Sequence, residues 1–226
     1  MTPPRLRPWV TVRLEQVLAE RHPGAEEDVH FAEGLVAAVL EDLTLPGDLV
    51  LDPFAGFGTT LRVAGQMGRR AIGIELLESR CAIARAEAPD AVVVCADARD
   101  LAQLVTEPVD LVLTSPPYMA RGDSPEDPLA GYTGVGATYE AYLDGLREVF
   151  TQALGVLAPE GHAVVNVANI DDGKNFTPLA WDVGRILNDL GRLLPETFVL
   201  WDQPWHDLAG DYLLVARSSR GSVECG

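Results

Sequence analysis

One alternation, repeated along the chain, constrains the fold more than any other feature. Short and nearly unbroken apolar runs (Leu49-Val50-Leu51, Ala71 to Glu75, Ala91 to Cys95 and Val109 to Thr114) are separated by stretches with apolar residues at helical spacing: Thr59 to Met67, Leu77 to Ala86, and a shorter one near Leu101 to Val105. Strands with no in–out alternation are covered on both faces. Strand–helix–strand repetition then implies a parallel, doubly wound sheet with right-handed crossovers. A helix over Glu33 to Leu43, with Leu35, Val36, Val39, Leu40 and Leu43 on one face, precedes the first strand and ends at the Pro46-Gly47 turn. Further on come a Gly/Asp/Pro-rich loop, Met119 to Ala137, and a long helix with Tyr139, Tyr142, Leu143, Leu146, Phe150 and Leu154 on one face. They are followed by a strand over His162 to Val167, a helix over Pro178 to Leu194, and strands over Thr197 to Trp201 and Asp211 to Ala216. The last two strands lie too close in sequence for a crossover and are expected to pair antiparallel. The expectation is an α/β protein with a seven-stranded, mostly parallel sheet, a terminal antiparallel hairpin and helices on both faces. It forms a single domain over residues 30–220, between a partly irregular extension, 1–29, and a tail, 221–226.

The chain has 226 residues and is 47% hydrophobic, which supports a full core and excludes a disordered chain. It contains no apolar run near the roughly 20 residues of a membrane span, and Met1 to Val10 has no secretory apolar core. The expectation is a cytoplasmic protein without membrane attachment. Cys81, Cys95 and Cys225 show no metal-ligand spacing, so no metal is expected, and Cys81 and Cys95 read as small buried residues of a reduced protein. The charge constrains partners more sharply. Thirty-four acidic residues against seventeen basic give −17, and from Glu15 to Asp48 Arg21 is the one basic residue. Such a surface repels polyanions, whereas a solitary DNA-binding protein usually presents a basic face. Arg5, Arg7 and Arg13 near one end, and Arg217 and Arg220 near the other, read as incidental on a solvated acidic surface, or more sharply as a basic rim.

Two stretches carry chemistry. The first is Asp52-Pro53-Phe54-Ala55-Gly56-Phe57-Gly58-Thr59-Thr60, where a strand opens through a glycine turn into a helix. Glycines let the backbone turn sharply and approach a ligand, and open α/β sheets bind ligands beyond the carboxyl ends of their strands. Glu75 and Leu76 stand at the next strand end, a spacing at which a carboxylate can accept from both hydroxyls of a ribose. Asp97 and Ala98 stand at the third, where Asp97 also suits a helix N-cap. The loop has neither the Gly-x-Gly-x-x-Gly spacing that seats a pyrophosphate nor a Gly-Lys-Ser/Thr phosphate loop. Three polar strand ends in a row favour a nucleoside-containing cofactor.

The second stretch is Ser115-Pro116-Pro117-Tyr118, directly after the fourth strand. Consecutive prolines stiffen the backbone and keep Ser115 extended. The loop offers a hydroxyl, a carbonyl acceptor on Pro116 and a flat aromatic face. Two acceptors that grip the N–H bonds of an exocyclic amine favour a tetrahedral nitrogen and free its delocalised lone pair, while the tyrosine ring stacks on the base.

Together these stretches resemble the motifs of the DNA amino-methyltransferases, which use S-adenosylmethionine (SAM) to make N4-methylcytosine and N6-methyladenine. The resemblance runs from about His30 to Arg217 and takes in Val199-Leu200-Trp201 and Tyr212 to Arg217. It implies a class I, Rossmann-like methyltransferase fold and SAM as cofactor. It assigns SAM to Asp52, Pro53, Phe54, Ala55, Gly56, Gly58, Thr59, Thr60, Glu75, Leu76, Asp97 and Ala98, and places His30-Phe31 where the family has a segment closing over the methionine end. It makes Ser115, Pro116, Pro117 and Tyr118 the catalytic clamp. Tyr132, Trp201 and Trp205 are candidates for the base pocket or for core packing. A serine-led clamp is typical of the cytosine-N4 enzymes, so cytosine N4 in DNA is the first expectation and adenine N6 the next, within DNA methylation of the restriction–modification kind. Alternatives are methylation of guanine N2 in RNA or of a glutamine amide in protein, and a SAM-binding subunit without activity. The 119–137 loop and the stretch around Gln203 to Asp207 leave little room for target recognition. A recognition subunit, a homodimer or an already exposed base would supply what is missing.

Overall fold

The computed structural model describes residues 5–20, 22, 31–121, 127–131, 137–203 and 208–218. His30, Tyr132, Trp205 and Arg220 lie outside them.

The elements are β1 (Trp9–Val12), α1 (Leu14–Glu20), α2 (Glu33–Leu43), β2 (Leu49–Asp52), α3 (Thr59–Gln66), β3 (Arg70–Glu75), α4 (Glu78–Glu87), β4 (Val92–Cys95), α5 (Leu101–Leu104) and β5 (Val109–Thr114). There follow α6 (Tyr139–Gly155), β6 (Leu157–Asp171), β7 (Phe176–Thr177), α7 (Leu179–Leu190), β8 (Gly191–Leu193), β9 (Thr197–Trp201) and β10 (Leu208–Ser218). One sheet runs in the order β1-β9-β10-β6-β5-β2-β3-β4, with β7 paired to β6 and β8 to β10. Strands β2 to β6 are mutually parallel, β10 is antiparallel to β6 and β9, and β1 is parallel to β9.

All seven expected strands are present, and the last two pair antiparallel as expected. The sheet has ten strands rather than seven, because β7, β8 and β1 are short or come from the segment set apart as an extension. Trp9–Val12 is bonded to Phe198–Trp201 along the sheet edge, and Leu6, Val12 and Val17 are buried. Arg7 anchors this edge through Asp42 at 2.7 Å and Glu41 at 3.1 Å. Arg217 pairs with Glu160. These two arginines are held in ion pairs and form no basic rim at a cleft.

The core has two layers, and the period-2 pattern of the central strands divides it. Val112 of β5, Val165 and Val167 of β6 and Leu214 of β10 face α6 and α7. Leu111, Leu113, Val164, Leu213 and Val215, the alternate residues, face α2 and α3. Helix α6 buries Tyr142, Leu146, Val149, Phe150 and Ala153, spaced at three and four residues as an amphipathic helix requires. The chain moves from β2 outward through β3 and β4, then returns to place β5 on the other side of β2. The carboxyl ends of β2 and β5 therefore flank the topological switch point, where such sheets bind ligands.

The closeness of α3 to β3 depends on Gly73. A Cβ there would lie 2.5 Å from Leu61 Cδ1 and 2.8 Å from Ala55 Cβ. Gly73→Ala is expected to lower stability by about 1–3 kcal/mol through overpacking, read as a lower urea midpoint at unchanged slope.

Candidate functional site

The loop after β2 is shaped by its own backbone. Ala55 N–H donates to Ile74 O at 2.9 Å, Gly58 N–H to Ala55 O at 2.8 Å, and Arg62 N–H to Gly58 O at 2.9 Å. Gly58, at φ 88°, is the N-cap of α3, and a Cβ there would meet Ala84 Cα at 3.0 Å. The left-handed backbone and the close approach of α4 both select glycine.

Two buried carboxylates hold this loop. Asp52 Oδ1 accepts from Phe54 N–H at 3.0 Å and from the Thr114 hydroxyl at 2.6 Å. Burial pushes the Asp52 carboxyl up to about 6, against the hydrogen bonds from Thr114 and Phe54 that hold it down. Glu75 accepts from Gly56 N–H at 2.9 Å on one oxygen and from Leu77 N–H at 2.8 Å on the other. Burial raises its carboxyl too. Each Glu75 oxygen keeps a second lone pair for a ligand hydroxyl.

A cleft of about 470 Å³ opens at this edge, lined by Phe31, Asp52, Phe54, Ala55, Gly56, Phe57, Thr59, Thr60, Arg80 and Ser115. Eight expected residues thus meet in one cavity: six of the glycine loop, Phe31 of the segment expected to close over the methionine end, and Ser115 of the clamp. Pro53, Gly58, Glu75 and Leu76 frame the loop without lining the cleft. Sequence reasoning missed Phe57 and Arg80. The Arg80 guanidinium sits 5.4 Å from the Phe57 ring centroid, a cation–π contact, and bears on Glu75 as a favourable charge. Its position in the first turn of α4, facing the loop across β3, was the available signal.

Asp97 stands apart from the cleft. It caps a short 3₁₀ turn, accepting from Arg99 N–H at 2.8 Å, and pairs with the Arg99 guanidinium. Its carboxyl lies below the usual range because of Arg99. The N-cap role described from sequence is the one observed. Neighbouring Ala98 is buried in the core facing α6.

The clamp is braced from behind. Pro117 O accepts from the Tyr142 hydroxyl at 2.8 Å, and the Tyr118 hydroxyl accepts from Ala168 N–H of β6 at 3.1 Å. Ser115 lies within hydrogen-bonding reach of the Tyr118 hydroxyl, whose proton is held more tightly than in a free tyrosine by burial and by the charge of Asp211. Asp211 itself is buried and accepts from Asn166 Nδ2 at 2.6 Å and Trp201 Nε1 at 3.1 Å. Trp201, a candidate base-pocket residue, thus has its indole N–H turned to a buried acid. Burial pushes the Asp211 carboxyl up to about 6. Asn166 and Asp211 were not singled out from sequence, because their contact joins strands distant in the chain.

The cysteines require a correction. Cys81 and Cys95 form a disulfide, with Cα atoms 5.9 Å apart, that ties α4 to β4. The sequence reading took them as separate buried thiols. The two residues stand on successive elements, 14 positions apart, and only the packing of α4 on the sheet brings them together. With Glu78 their ligand atoms lie within 4.8 Å of one another, and the two sulfurs are spent on each other. Among the described residues no helix is long and apolar enough to cross a membrane.

The sheet order, the glycine loop at the switch point and the acid at the second strand end define the class: this is the class I SAM-dependent methyltransferase fold. Solved structures agree. A TehB-like SAM-dependent methyltransferase of Corynebacterium glutamicum superposes with a TM-score of 0.55 at 15% identity, covering 81% of this chain and 86% of that one. The precorrin-6y C5,15-methyltransferase of Geobacter metallireducens gives 0.57 at 16% identity over 89% and 96%. Residues 6–86, which include the glycine loop and Glu75 and end before the clamp, match the DNA methylase family of N6 and N4 enzymes. Two relatives match over short segments. The methylase YubD of Escherichia coli (strain K12) is 50% identical over 58 residues, 26% of this chain and 24% of that protein. The type II methyltransferase M.BglII of Bacillus subtilis is 37% identical over 59 residues, 25% of this chain and 16% of that protein. The chain thus matches a quarter or less of the length of these relatives.

The residues fit SAM. A Thr60 hydroxyl is buried beside Asp52 without a hydrogen bond of normal geometry, at the wall of the cleft. Glu75 retains acceptor capacity toward a ribose.

The buried acids give a pH signature. Asp52 and Asp211 bind protons more tightly folded than unfolded, where an aspartate titrates near about 3.9. Their burial therefore costs nothing below about pH 4, and stability declines as pH rises toward 6. Comparing urea midpoints at pH 4.5 and 7.5, Asp211→Asn is expected to remove on the order of 2 kcal/mol of that decline relative to the wild type.

Proposed function

We propose that the protein transfers the methyl group of SAM to an exocyclic amino nitrogen of a nucleobase, with cytosine N4 in DNA first and adenine N6 next. The observation that carries this reading is the hydrogen bond from Thr114 to Asp52. It joins the last residue of the strand that delivers the clamp to the last residue of the strand that opens the cofactor loop. Ser115 consequently lines the same cleft as Gly56 and Thr60.

Asp52, the backbone of Ala55 to Gly58, Thr60 and Glu75 would hold SAM, with Arg80 and Phe57 at the rim. Bound SAM supplies an electrophilic methyl on a sulfonium. The chain's residues position the acceptor. The Tyr118 hydroxyl accepts from Ala168 N–H, so its own proton is available to Ser115, and Ser115 keeps a lone pair for an amine N–H. The Pro116 carbonyl accepts the second N–H. Gripped at both hydrogens, the amine turns its lone pair out of conjugation, and rate is gained by positioning and by electrostatics. Ser115 is too weak a base to take the proton at neutral pH, and that proton passes to water. The Tyr142 and Ala168 hydrogen bonds fix the clamp before substrate arrives, so little entropy is lost on binding.

The test is a substrate panel. With labelled SAM, the protein is expected to label cytosine-containing DNA, identified as N4-methylcytosine by mass spectrometry of the nucleosides. Label confined to bulk protein would overturn the nucleobase assignment, and SAM binding without label in DNA, RNA or protein would indicate a non-catalytic subunit.

Two substitutions separate clamp from cofactor pocket. Ser115→Ala is expected to lower kcat by about 100-fold or more while SAM affinity by calorimetry stays nearly unchanged. Glu75→Ala is expected to do the opposite in kind, abolishing measurable SAM binding because both the ribose acceptor and the latch on Gly56 are lost.

A further inference from the structure

The clamp edge carries an aromatic surface that methyl transfer does not use. Strand β6 is in register with Thr114 at Val165 and runs on to Asp171, about 20 Å further at the rise of a strand. There the chain turns and β7 folds back, with Thr177 opposite Ile170. On this projection Phe176 and Trp181 are 45% and 59% exposed, their ring centroids 5.6 Å apart and their planes tilted by 59°. Single exposed apolar residues are ordinary, but two aromatic rings paired in water on a projection of the clamp's own sheet mark a binding surface.

Cations flank the pair. Arg121, three positions past Tyr118, donates its backbone N–H to Thr177 Oγ1 at 2.8 Å, and its guanidinium reaches Asp182 at 2.9 Å over the Tyr139 ring. Arg185, 72% exposed at its side chain, lies 3.6 Å from the same carboxylate. One buried acid thus faces two guanidiniums, and with Lys174 against the exposed Asp171 and Asp172 the described charges of the spot balance on a chain of −17. Two neighbouring acids are exposed but occupied by their own turn: Asp171 accepts from Gly173 N–H, and Asp172 from Lys174 and Asn175 N–H. The clamp and the projection are one continuous wall, since Tyr118 is bonded to Ala168 of the same strand, about 10 Å from its end.

We infer that Phe176 and Trp181, flanked by Arg121 and Arg185, form a stacking platform for a nucleotide beyond the base held in the clamp, along the same strand, and that the nucleic acid bound is single-stranded. This rests on the nucleobase reading of the clamp. A stacking surface needs base faces, which a duplex hides and a single strand offers, and it binds any sequence because every base has a π-face. It also reconciles the charge with a nucleic-acid substrate: affinity comes from stacking with one or two phosphate contacts, not from a broad basic face. The dependence of affinity on salt is correspondingly shallow.

The test uses the full chain with a cytosine-containing single-stranded oligonucleotide and with its duplex, following fluorescence anisotropy of the labelled oligonucleotide and intrinsic tryptophan emission. Wild type is expected to bind the single strand more tightly than the duplex, with quenched tryptophan emission. Trp181→Ala and Phe176→Ala are each expected to weaken single-strand binding by about 10-fold and to raise KM for the oligonucleotide, with SAM affinity unchanged. Trp181→Phe retains affinity and loses the quench. Phe198→Ala, which removes an exposed ring 49% accessible on β9, leaves binding as in wild type. Single-strand binding unaffected by Trp181→Ala, equal affinity for duplex, or no oligonucleotide binding by wild type would each overturn the platform. If the wild type methylates the oligonucleotide and Trp181→Ala leaves KM unchanged, the platform fails and the nucleobase reading stands. If the single strand binds through Trp181 but methyl label appears only in protein, the nucleobase reading fails and the platform stands.

Discussion

The hydrogen bond from the Thr114 hydroxyl to the Asp52 carboxylate, 2.6 Å long and buried, is the interaction on which the rest of the site depends. It closes the switch point between β2 and β5. On one side Asp52 also accepts from Phe54 N–H and so sets the start of the glycine loop. On the other, Thr114 precedes the clamp, so the backbone that leaves β5 does so with fixed direction. A buried carboxylate with its acceptors satisfied keeps its geometry, because any departure leaves a desolvated charge unpaired. The cofactor loop and the clamp thereby share one mechanical reference.

A second latch works beside the first. Glu75 draws Gly56 and Leu77 to itself by two backbone N–H bonds, and Gly73 lets Ala55 and Leu61 pack against β3 without a side chain between them. The Cys81–Cys95 link then holds α4, which carries Arg80 to the rim, against β4. Behind the clamp, Tyr142, Ala168 and the Asn166–Asp211–Trp201 network occupy the positions that a flexible loop would need in order to move. The site is rigid on both walls, which suits a reaction whose rate comes from placing two groups in line.

The acidic surface and the DNA methylase match pull in opposite directions only if nucleic acid must be held by charge. Arg7 and Arg217, near the chain ends, are engaged in ion pairs, while Arg121 and Arg185 share a single carboxylate beside exposed aromatic rings. On the proposed nucleobase reading, binding through ring faces requires little positive charge.

Much of this was legible in the chain. The continuous apolar runs gave the parallel strands, since strands covered on both faces leave no alternation to confuse with a helix, and the spacing of Asp52, Gly56, Gly58 and Glu75 put polar groups on consecutive strand ends. The family motifs gave the clamp. What stayed hidden was whatever depends on two distant segments meeting. Trp9–Val12 becomes an edge strand only because β9 offers it a partner. Cys81 and Cys95 pair because α4 packs beside β4. Asn166 and Asp211 become one network because β10 lies antiparallel to β6. Local sequence determined the elements, the glycine turn and the stiffness of Ser115 to Tyr118, because these follow from backbone conformation and residue type. Tertiary structure alone decided that Thr114 would reach Asp52 and that Phe176 and Trp181 would stand paired at the clamp's edge, because those contacts exist only once β5 has returned to lie beside β2 and β6 has run past it.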